Sequence, residues 1–361
     1  MATGTHILGR GIACTLGVGV ETCLENLRQG PSQPQRIHST PELSWPYFPI
    51  PDSPHAVSGA SWHERARALV RQVVAECGAD INRDAPLFIA SSSLNVGGLE
   101  AGAPFPPDQQ AFVEEVAAWL DWRGPVFYVA SACTSSLNAL LSARALIESG
   151  LFEHALVLGI ELRNQFTSAG FSGMQLLAPD IPRPLGLARD GLVLGEAVAA
   201  LYLGSRPARW RVQGGANRTN GNNPVGADRH VVAQVITQAL AASGVTPAQI
   251  GLVKLQAAGS PQNDAEEIAG LHRVFPSLPP LVTFKAALGH TLGASGAAEL
   301  ILLTACLETD TWPNATAQAA DPQLNAQCSA ALPVLPKTIL FNIQGFGGGH
   351  ACLVIEDSAC R

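Results

Sequence analysis

The sequence is poor in charged residues and has no excess of basic ones. Among its 361 residues, Asp, Glu, Lys and Arg make up only 14%, and the formal net charge is −7. Nucleic acids and anionic membranes attract positively charged surfaces, so we expect neither as a partner. Apolar residues make up 47% of the chain. With so few charges beside them, this share indicates that the protein buries additional surface against a partner.

Several sequence signals that would define other classes of protein are also missing. No apolar run approaches the roughly 18 residues that a membrane helix needs, and residues 1–10 do not resemble a secretory leader. None of the eight cysteines belongs to a C-x-x-C pair, so no metal site is predicted. The cysteines are too sparse for a disulfide scaffold, which favours a reducing cytoplasm. A dinucleotide-binding G-x-G-x-x-G turn after the first strand is absent as well.

Short apolar runs alternate with helical patterns along the chain. Strands are predicted at 87–90, 126–130, 155–160, 252–255, 281–284 and 338–343, and helices at 135–149, 231–242 and 293–308. This alternation predicts an α/β fold with a mainly parallel core sheet. The Pro-rich stretch 29–56 lacks periodicity and is predicted to be a surface loop.

Two segments share the form of a glycine turn followed by an apolar strand. They are residues 191–203 and 345–356. Since each would close one half of the chain, we predict an internal duplication. The predicted halves are residues 1–205, with a candidate nucleophile, and residues 206–361.

The candidate nucleophile is Cys133, in a segment that is predicted to run strand, sharp turn, helix. The positive end of the following helix dipole favours a thiolate at this position. Such an elbow also exposes a nucleophile while the backbone N–H groups beside it face outward. Small neighbours, among them Ala132 and Ser135, leave room for a substrate. The alternative is a buried structural cysteine.

A second candidate segment, residues 283–296, follows a predicted strand and opens a helix. His290 lies between glycines, and Lys285 precedes it by five residues. The alternative role of His290 is a hydrogen bond at the start of the helix.

Taken in order, these segments resemble the β-ketoacyl-acyl-carrier-protein synthases of the thiolase superfamily. The shared motifs are ACTSS at 132–136, RP at 183–184 with RDGLVLGE at 189–196, GSPQND at 259–264, Lys285 with GHT at 289–291, and GFGG at 345–348. The resemblance implies a duplicated five-layer α-β-α-β-α fold that works as a dimer. The resemblance also implies that the protein needs no cofactor and that acyl carrier protein is a partner.

The resemblance also implies a role for each motif residue. Cys133 would take an acyl group from the carrier protein, and malonyl-carrier protein would then decarboxylate and attack that thioester. His290 would stabilise the enolate by a hydrogen bond, while Lys285 would set the local field. Backbone N–H groups of Cys133 and Phe346 would form the oxyanion hole.

The remaining motif residues would form or support the same site. Phe346, with Gly347 beside it, resembles the family's mobile gate, although a plain core phenylalanine is the alternative. Asp264 and Glu196, which stand in two of the shared motifs, would support the site.

The sequence departs from the family at two site positions. Aligned without a gap, Gln256 stands where the family has a second histidine, and an amide cannot exchange a proton at neutral pH. Gln256 either replaces that hydrogen-bond donor in part or merely ties down its turn. His350 stands where the family usually has asparagine, and it either compensates for the lost histidine or is structural.

The chain is also shorter than the family norm, mainly between residues 98 and 124, where we predict a loop at 103–107 and a helix at 109–122. Three hypotheses follow. The chain is a condensing enzyme, with a ketosynthase-like partner subunit or as a homodimer. Alternatively, it is a non-condensing partner of the chain-length-factor type. The third is a hydrolase or acyltransferase that uses the same cysteine without decarboxylation.

Overall fold

The computed structural model describes residues 4–30, 32–38, 43–51, 61–105, 108–313, 319–331 and 334–360. The strands are β1 (Thr5–Cys14), β2 (Gly17–Val18), β3 (Gln35–His38), β4 (Ser44–Phe48), β5 (Leu87–Ala90), β6 (Val126–Val129), β7 (His154–Glu161), β8 (Leu194–Gly195), β9 (Ala197–Gly204), β10 (Trp210–Thr219), β11 (Leu252–Lys254), β12 (Leu281–Val282), β13 (Thr338–Gly345) and β14 (Gly349–Asp357). The helices are α1 (Val20–Gln29), α2 (Trp62–Glu76), α3 (Val96–Glu100), α4 (Gln109–Trp119), α5 (Ser135–Glu148), α6 (Gln165–Gly173), α7 (Arg229–Ser243), α8 (Pro261–His272), α9 (Lys285–Leu288) and α10 (Ser295–Glu308).

The large sheet consists of two sets of strands with the same connectivity. In the first half the order is β6-β5-β7-β9-β1, and in the second it is β12-β11-β13-β14-β10. In both sets the three strands farthest from the joint are parallel and the next two pairs are antiparallel. The two sets join where β1 pairs with β10. The predicted duplicated α/β fold is therefore confirmed. The expectation of a mainly parallel core sheet is wrong, because in each half of the described sheet the two strands nearest the joint run antiparallel to their neighbours.

The duplication extends to the two central helices. Both α5 and α10 have 14 residues, and each follows a three-residue 3₁₀ turn. Each turn starts at a non-glycine residue with positive φ, Ala132 at 50° and Leu292 at 46°. Because residues other than glycine rarely adopt this backbone conformation, its recurrence indicates the same sharp elbow in both halves.

Three apolar clusters define the layers around these helices. The central cluster contains α5 and α10 together with strands of both halves. A second cluster packs α2 and α4 against the outer face of the first half. A third cluster packs α7 against the strands of the second half. The order is therefore helix, sheet, helix, sheet, helix, as predicted. The helix predicted at 293–308 is present as α10, and it is a central rather than a surface helix, because it is buried on every side from Ser295 to Leu307.

The stretch 29–56 is not the surface loop that its composition predicts. Within it, β3 and β4 pair with each other, and β4 pairs with β8 to form a small second sheet. Trp45, Tyr47 and Phe48 are buried, so β4 is part of the core. Of the prolines in the described part of this stretch, only Pro46 lies in a strand, opposite Arg36 of β3 and one residue before the pairing of β4 with β8 begins.

Other predicted boundaries need smaller corrections. The helix predicted at 109–122 ends at Trp119, and the strand predicted at 281–284 ends at Val282, where the chain turns toward α9. The loop predicted at 103–107 lies only partly within the described residues. In the described segments, no helix combines the length and apolarity needed to cross a membrane.

Candidate active site

Cys133 lies in the elbow between β6 and α5. The hydroxyl of Ser135 accepts a 2.9 Å hydrogen bond from the backbone N–H of Ser131 and donates one to the carbonyl of Ala132, which fixes the turn. The end of β13 approaches from the other half. A Cβ on Gly345 would lie 3.0 Å from the Cys133 nitrogen, so glycine is what permits this approach.

Burial dominates the acidity of the Cys133 thiol. It raises the pKa to about 11, while the charge of Lys285 and the backbone N–H groups of Phe346 and Cys133 act in the opposite direction. The thiolate expected from the helix dipole is therefore not the resting form at neutral pH. The N–H groups that lower the pKa are the two predicted for the oxyanion hole, and both face the sulfur.

His290 lies 3.1 Å from the Cys133 sulfur through its Nε2. Its Nδ1 is 3.3 Å from the backbone nitrogen of Leu292 and 3.3 Å from the Lys285 ammonium. A backbone N–H and an ammonium can only donate, so Nδ1 accepts and the ring proton resides on Nε2. Burial, together with nearby Lys285 and Lys254, lowers the histidine pKa well below its usual value. His290 is therefore a neutral ring that presents an N–H to the sulfur.

Two buried lysines share one carboxylate behind this histidine. Glu299 of α10 forms ion pairs with Lys285 and with Lys254, and all three side chains are fully buried. Lys254 also lies 4.3 Å from the centre of the Phe341 ring. Burial lowers the pKa of Lys254 to about 8. No sequence motif marks Lys254, because its partner Glu299 lies 45 residues away along the chain.

Gln256 adjoins His290 on the side away from the lysines. Its amide nitrogen is placed 3.4 Å from His290 Nε2. Both atoms are donors in the histidine form described above, so the amide is satisfied only when its oxygen faces the ring. The amide NH₂ would then face the pocket.

Two buried carboxyl groups hold the turn that carries Gln256. Glu267 accepts hydrogen bonds from the backbone N–H groups of Gln256 and Ala257 and from the amide of Asn342. Asp264 accepts backbone hydrogen bonds from residues 185, 258 and 259. Burial raises the pKa of Glu267 to about 7 and that of Asp264 to about 6.

Phe346 stands at the mouth of the site. Its ring stacks on Phe171 with centroids 5.0 Å apart, and it is partly exposed. Gly347 has φ of 77°, and its N–H donates to the Pro224 carbonyl at 2.7 Å. Because that N–H is occupied, the donor that faces Cys133 from this turn is that of Phe346.

One open pocket connects most of these groups. Its lining includes Cys133, Gln256, Asp264, His290 and Phe346. The stretch predicted as a loop contributes Tyr47 to the apolar cluster that contains Cys133. That contribution depends on pairing across the chain, which local sequence does not display.

Two of the predicted supporting residues do not line the pocket. Glu196 accepts hydrogen bonds from the Arg65 guanidinium and from the backbone N–H groups of Ile50 and Arg163, so it joins elements behind the pocket. His350 is buried, and its Nδ1 lies 3.0 Å from the Gly348 carbonyl oxygen. It is not among the described residues that line the pocket with His290, so its compensating role stays a prediction.

Comparison with known families identifies the chain as a family member. Residues 100–208 match the sequence model of the Beta-ketoacyl synthase, N-terminal domain, and residues 210–318 match that of the C-terminal domain. Together the two matches cover more than half of the chain, which therefore belongs to the β-ketoacyl synthase family.

The similar proteins include polyketide synthases of very different length. A highly reducing polyketide synthase of Alternaria alternata is 27% identical over 65% of this chain, which spans only 10% of that protein. A putative β-ketoacyl synthase for the oxytetracycline polyketide, from Streptomyces rimosus, is 26% identical over 78% of this chain and 73% of its own length.

The fold is also shared with solved structures. A structure of a ketosynthase in complex with its chain length factor, from Xenorhabdus doucetiae, superposes with a TM-score of 0.86. It has 23% identity and covers 99% of this chain and 98% of the matched one.

Proposed function

We propose that this protein transfers acyl groups in polyketide or fatty acid biosynthesis, with Cys133 as the acceptor. The observation that supports this proposal is the 3.1 Å distance between His290 Nε2 and the Cys133 sulfur. The N–H of Phe346 lies beside the same sulfur. The donor is acyl carrier protein, and the protein works as one half of a heterodimer. The eight cysteines are free, which supports a reducing compartment, and we propose the cytoplasm.

The acylation step needs only groups that surround the sulfur. Cys133 attacks the thioester carbonyl of the acyl carrier, and its proton passes to the departing carrier thiolate. Negative charge develops on the carbonyl oxygen, where the N–H groups of Cys133 and Phe346 stabilise it. The charge of Lys285 favours the sulfur anion in the transition state, since it lowers the pKa of the thiol.

Condensation requires a second anion to be stabilised in the same pocket. When a malonyl thioester loses CO₂, the electron pair of the broken C–C bond moves to its carbonyl oxygen. The enolate carbon then attacks the acyl carbonyl on Cys133, and the C–S bond breaks to release the Cys133 thiolate. His290 donates to that oxygen through Nε2, and Gln256 supplies the second donor when its NH₂ faces the pocket. An amide is a weaker partner for an anion than an ionisable ring, so condensation is expected to be slow in the isolated chain.

A second function is favoured by the same Gln256. Among the described residues, His290 is the only histidine that lines the pocket. The chain would then be a non-condensing partner of the chain-length-factor type, which shapes the acyl tunnel of a complete ketosynthase. The fold neighbour from Xenorhabdus doucetiae, which its title describes as a ketosynthase with its chain length factor, supports a paired assembly.

Peptide mass spectrometry tests the acyl-transfer proposal. The protein is incubated with acyl carrier protein loaded with a saturated acyl group, and the peptide that contains Cys133 is then analysed. We expect a covalent acyl adduct on Cys133, lost in Cys133→Ala and retained in Cys360→Ser, which removes a cysteine near the C-terminal end. Absence of the adduct in the wild-type protein, alone and with its partner, would contradict acyl transfer and leave the partner role.

A further inference from the structure

Two glutamine amides in the Cys133 pocket have unsatisfied hydrogen-bonding atoms. Neither the nitrogen nor the oxygen of the Gln344 amide has a partner among the described residues. With the Gln256 oxygen facing the His290 N–H, the NH₂ of Gln256 is left without a partner as well. Both side chains are more than nine-tenths buried, at 7% and 8% exposure. Both line the pocket with Cys133. A buried polar group without a partner destabilises the folded state, so these amides point to a ligand.

The position of Gln344 follows from its strand. It lies on β13 two residues after Asn342, whose amide donates to Glu267 at 2.6 Å. Side chains two apart on a strand share a face, so Gln344 continues this polar row toward the pocket. It directly precedes Gly345, at which the strand end approaches Cys133.

An apolar acyl chain on Cys133 would leave these amides without partners. It would also exclude the water that can satisfy them in the empty pocket, and the penalty would fall on the bound state. An acyl chain with an oxygen in the right place would instead pair with them. A primary amide offers both donors and an acceptor, so a hydroxyl and a ketone oxygen both fit.

Geometry places that oxygen close to the thioester. Gln256 lies 3.4 Å from the His290 nitrogen that is itself 3.1 Å from the Cys133 sulfur. With ordinary bond lengths, the third carbon of an acyl group lies about 4 Å from the sulfur to which the group is attached. An oxygen on that carbon therefore falls within reach of the pocket lining beside His290.

We infer that Gln344 and Gln256 select acyl groups that carry an oxygen at the third carbon, as 3-hydroxyacyl or 3-oxoacyl chains. The inference rests on the proposed function, because it names the substrate class of the same pocket. Gln344 is the specificity-determining residue, since both of its amide atoms are unpartnered.

Binding of non-transferable analogues tests the selection separately from acyl transfer. Amide-linked 3-hydroxyoctanoyl-pantetheine and octanoyl-pantetheine differ only in the hydroxyl group, and neither can acylate Cys133. We expect the wild-type protein to bind the hydroxyl analogue at least about tenfold more tightly by isothermal titration calorimetry, because one added hydrogen bond in a buried site is worth about that factor. Equal affinity, or a preference for the plain chain, would overturn the inference.

A substitution then assigns the preference to Gln344. Gln344→Met has a similar side-chain volume without the amide. We expect this variant to bind the octanoyl analogue at least as tightly as the wild-type protein does, and therefore to lose most of the preference for the hydroxyl analogue. Gln238→Met, on an exposed face of α7, is the matched control and should retain the preference. An unchanged preference in Gln344→Met would overturn the role of this residue.

These outcomes are distinct from failure of the proposed function. If the analogues are discriminated but no thioester acylates Cys133, the selective pocket is supported and acyl transfer is contradicted. If Cys133 is acylated equally well by 3-hydroxyoctanoyl and octanoyl carriers and the analogues bind equally, the selectivity is contradicted and acyl transfer is supported.

Discussion

Two ammonium groups and one carboxylate, all without solvent contact, determine the charge behind His290. Burying charges is costly unless they are paired, and Glu299 alone pairs with both Lys254 and Lys285. If all three are ionised, the cluster carries a net positive charge. This charge favours anions in the pocket, such as a thiolate or an enolate. Burial, reinforced by the charge of the two lysines, lowers the pKa of His290 and keeps the ring neutral.

Replacement of Lys285 should make Cys133 less reactive. The pKa of Cys133 is about 11, and the Lys285 charge already holds it below the value that burial alone would produce. In the wild-type protein, alkylation of Cys133 by iodoacetamide should therefore accelerate as the pH rises from 7 toward 11, because the thiolate fraction grows. In Lys285→Met the same rise should move to higher pH.

Peptide mass spectrometry of the alkylated protein measures this shift. Lys337→Met removes the surface lysine and should leave the profile of Cys133 in place. Cys77, Cys306 and Cys328, whose pKa values burial raises to about 12, should react after Cys133. Identical profiles for Lys285→Met and the wild type would refute the electrostatic role of Lys285.

Truncation of Phe346 should change acyl loading more than stability. The ring is partly exposed and stacks on Phe171, so Phe346→Ala should cost about 1 kcal/mol rather than the 3–5 kcal/mol of a core phenylalanine. Acylation of Cys133 should change several-fold, because the ring covers the pocket entrance. Urea unfolding and acylation kinetics are the two measurements. A large loss of stability with unaltered loading would identify Phe346 as a core residue.

At the scale of elements, the turn at Gln256 should weaken as pH rises from about 4.5 to 7. Burial raises the pKa of Glu267 to about 7 in the folded state. At a pH between the ordinary glutamate pKa of the unfolded chain and this raised value, the folded state holds a proton that the unfolded state has released. The stability that this proton contributes is complete below about pH 4.5 and is lost as pH approaches 7. Asp264, with a pKa of about 6, acts in the same direction.

The Glu267→Gln variant tests this linkage. A glutamine cannot ionise. Between pH 4.5 and 7 the free energy of unfolding should therefore decrease by about 1–3 kcal/mol less in the variant than in the wild type. Urea unfolding at several pH values gives the comparison. Glu266→Gln, at a neighbouring but more exposed position on α8, is the control and should follow the wild-type slope. Parallel curves for Glu267→Gln would show that Glu267 does not titrate in this range.

Sequence patterns predicted those elements that local periodicity or motifs define. The strand at 87–90 and the helix that follows Cys133 appear where predicted, because each is a continuous local signal. The pairing of β4 with β8 was not predictable, since it joins segments far apart in the sequence. The boundary between residues 205 and 206 stays a prediction.

The same distinction applies to the site. Cys133, Lys285 and His290 were found through motifs, whereas Lys254 and Gln344 lie in no motif that the analysis used. Lys254 becomes visible only when α10 brings Glu299 beside it. Gln344 becomes visible only when its strand and the Cys133 elbow are placed at one pocket. Pairing across the molecule, rather than composition, reveals both residues.

For the whole molecule, the decisive experiment is chain elongation with and without a partner. On the alignment that predicts Gln256 at the position of a second histidine, loss of one effective donor should cost about 10²–10³ in rate. The isolated protein should therefore elongate an acyl group with malonyl-carrier protein much more slowly than it accepts the acyl group. Product formation followed by mass spectrometry measures both steps.

The same assay on the assembled complex separates the two proposed functions. In the partner role, Cys133→Ala in this chain leaves elongation by the complex nearly unchanged, and Gln238→Met provides the matched control. Rapid elongation by the isolated protein would contradict the partner role. Abolished elongation in the Cys133→Ala complex would show that this cysteine is used for condensation.

The division of the site between the two halves has a consequence for synthesis of the protein. A ribosome completes the Cys133 elbow well before it adds His290 and the Phe346 turn. Until β13 is in place, the oxyanion donor from Phe346 is missing, and so is the burial that raises the pKa of the Cys133 thiol. A nascent chain therefore has an incomplete oxyanion hole at Cys133, and acyl carriers that meet unfinished copies should dissociate without being discharged.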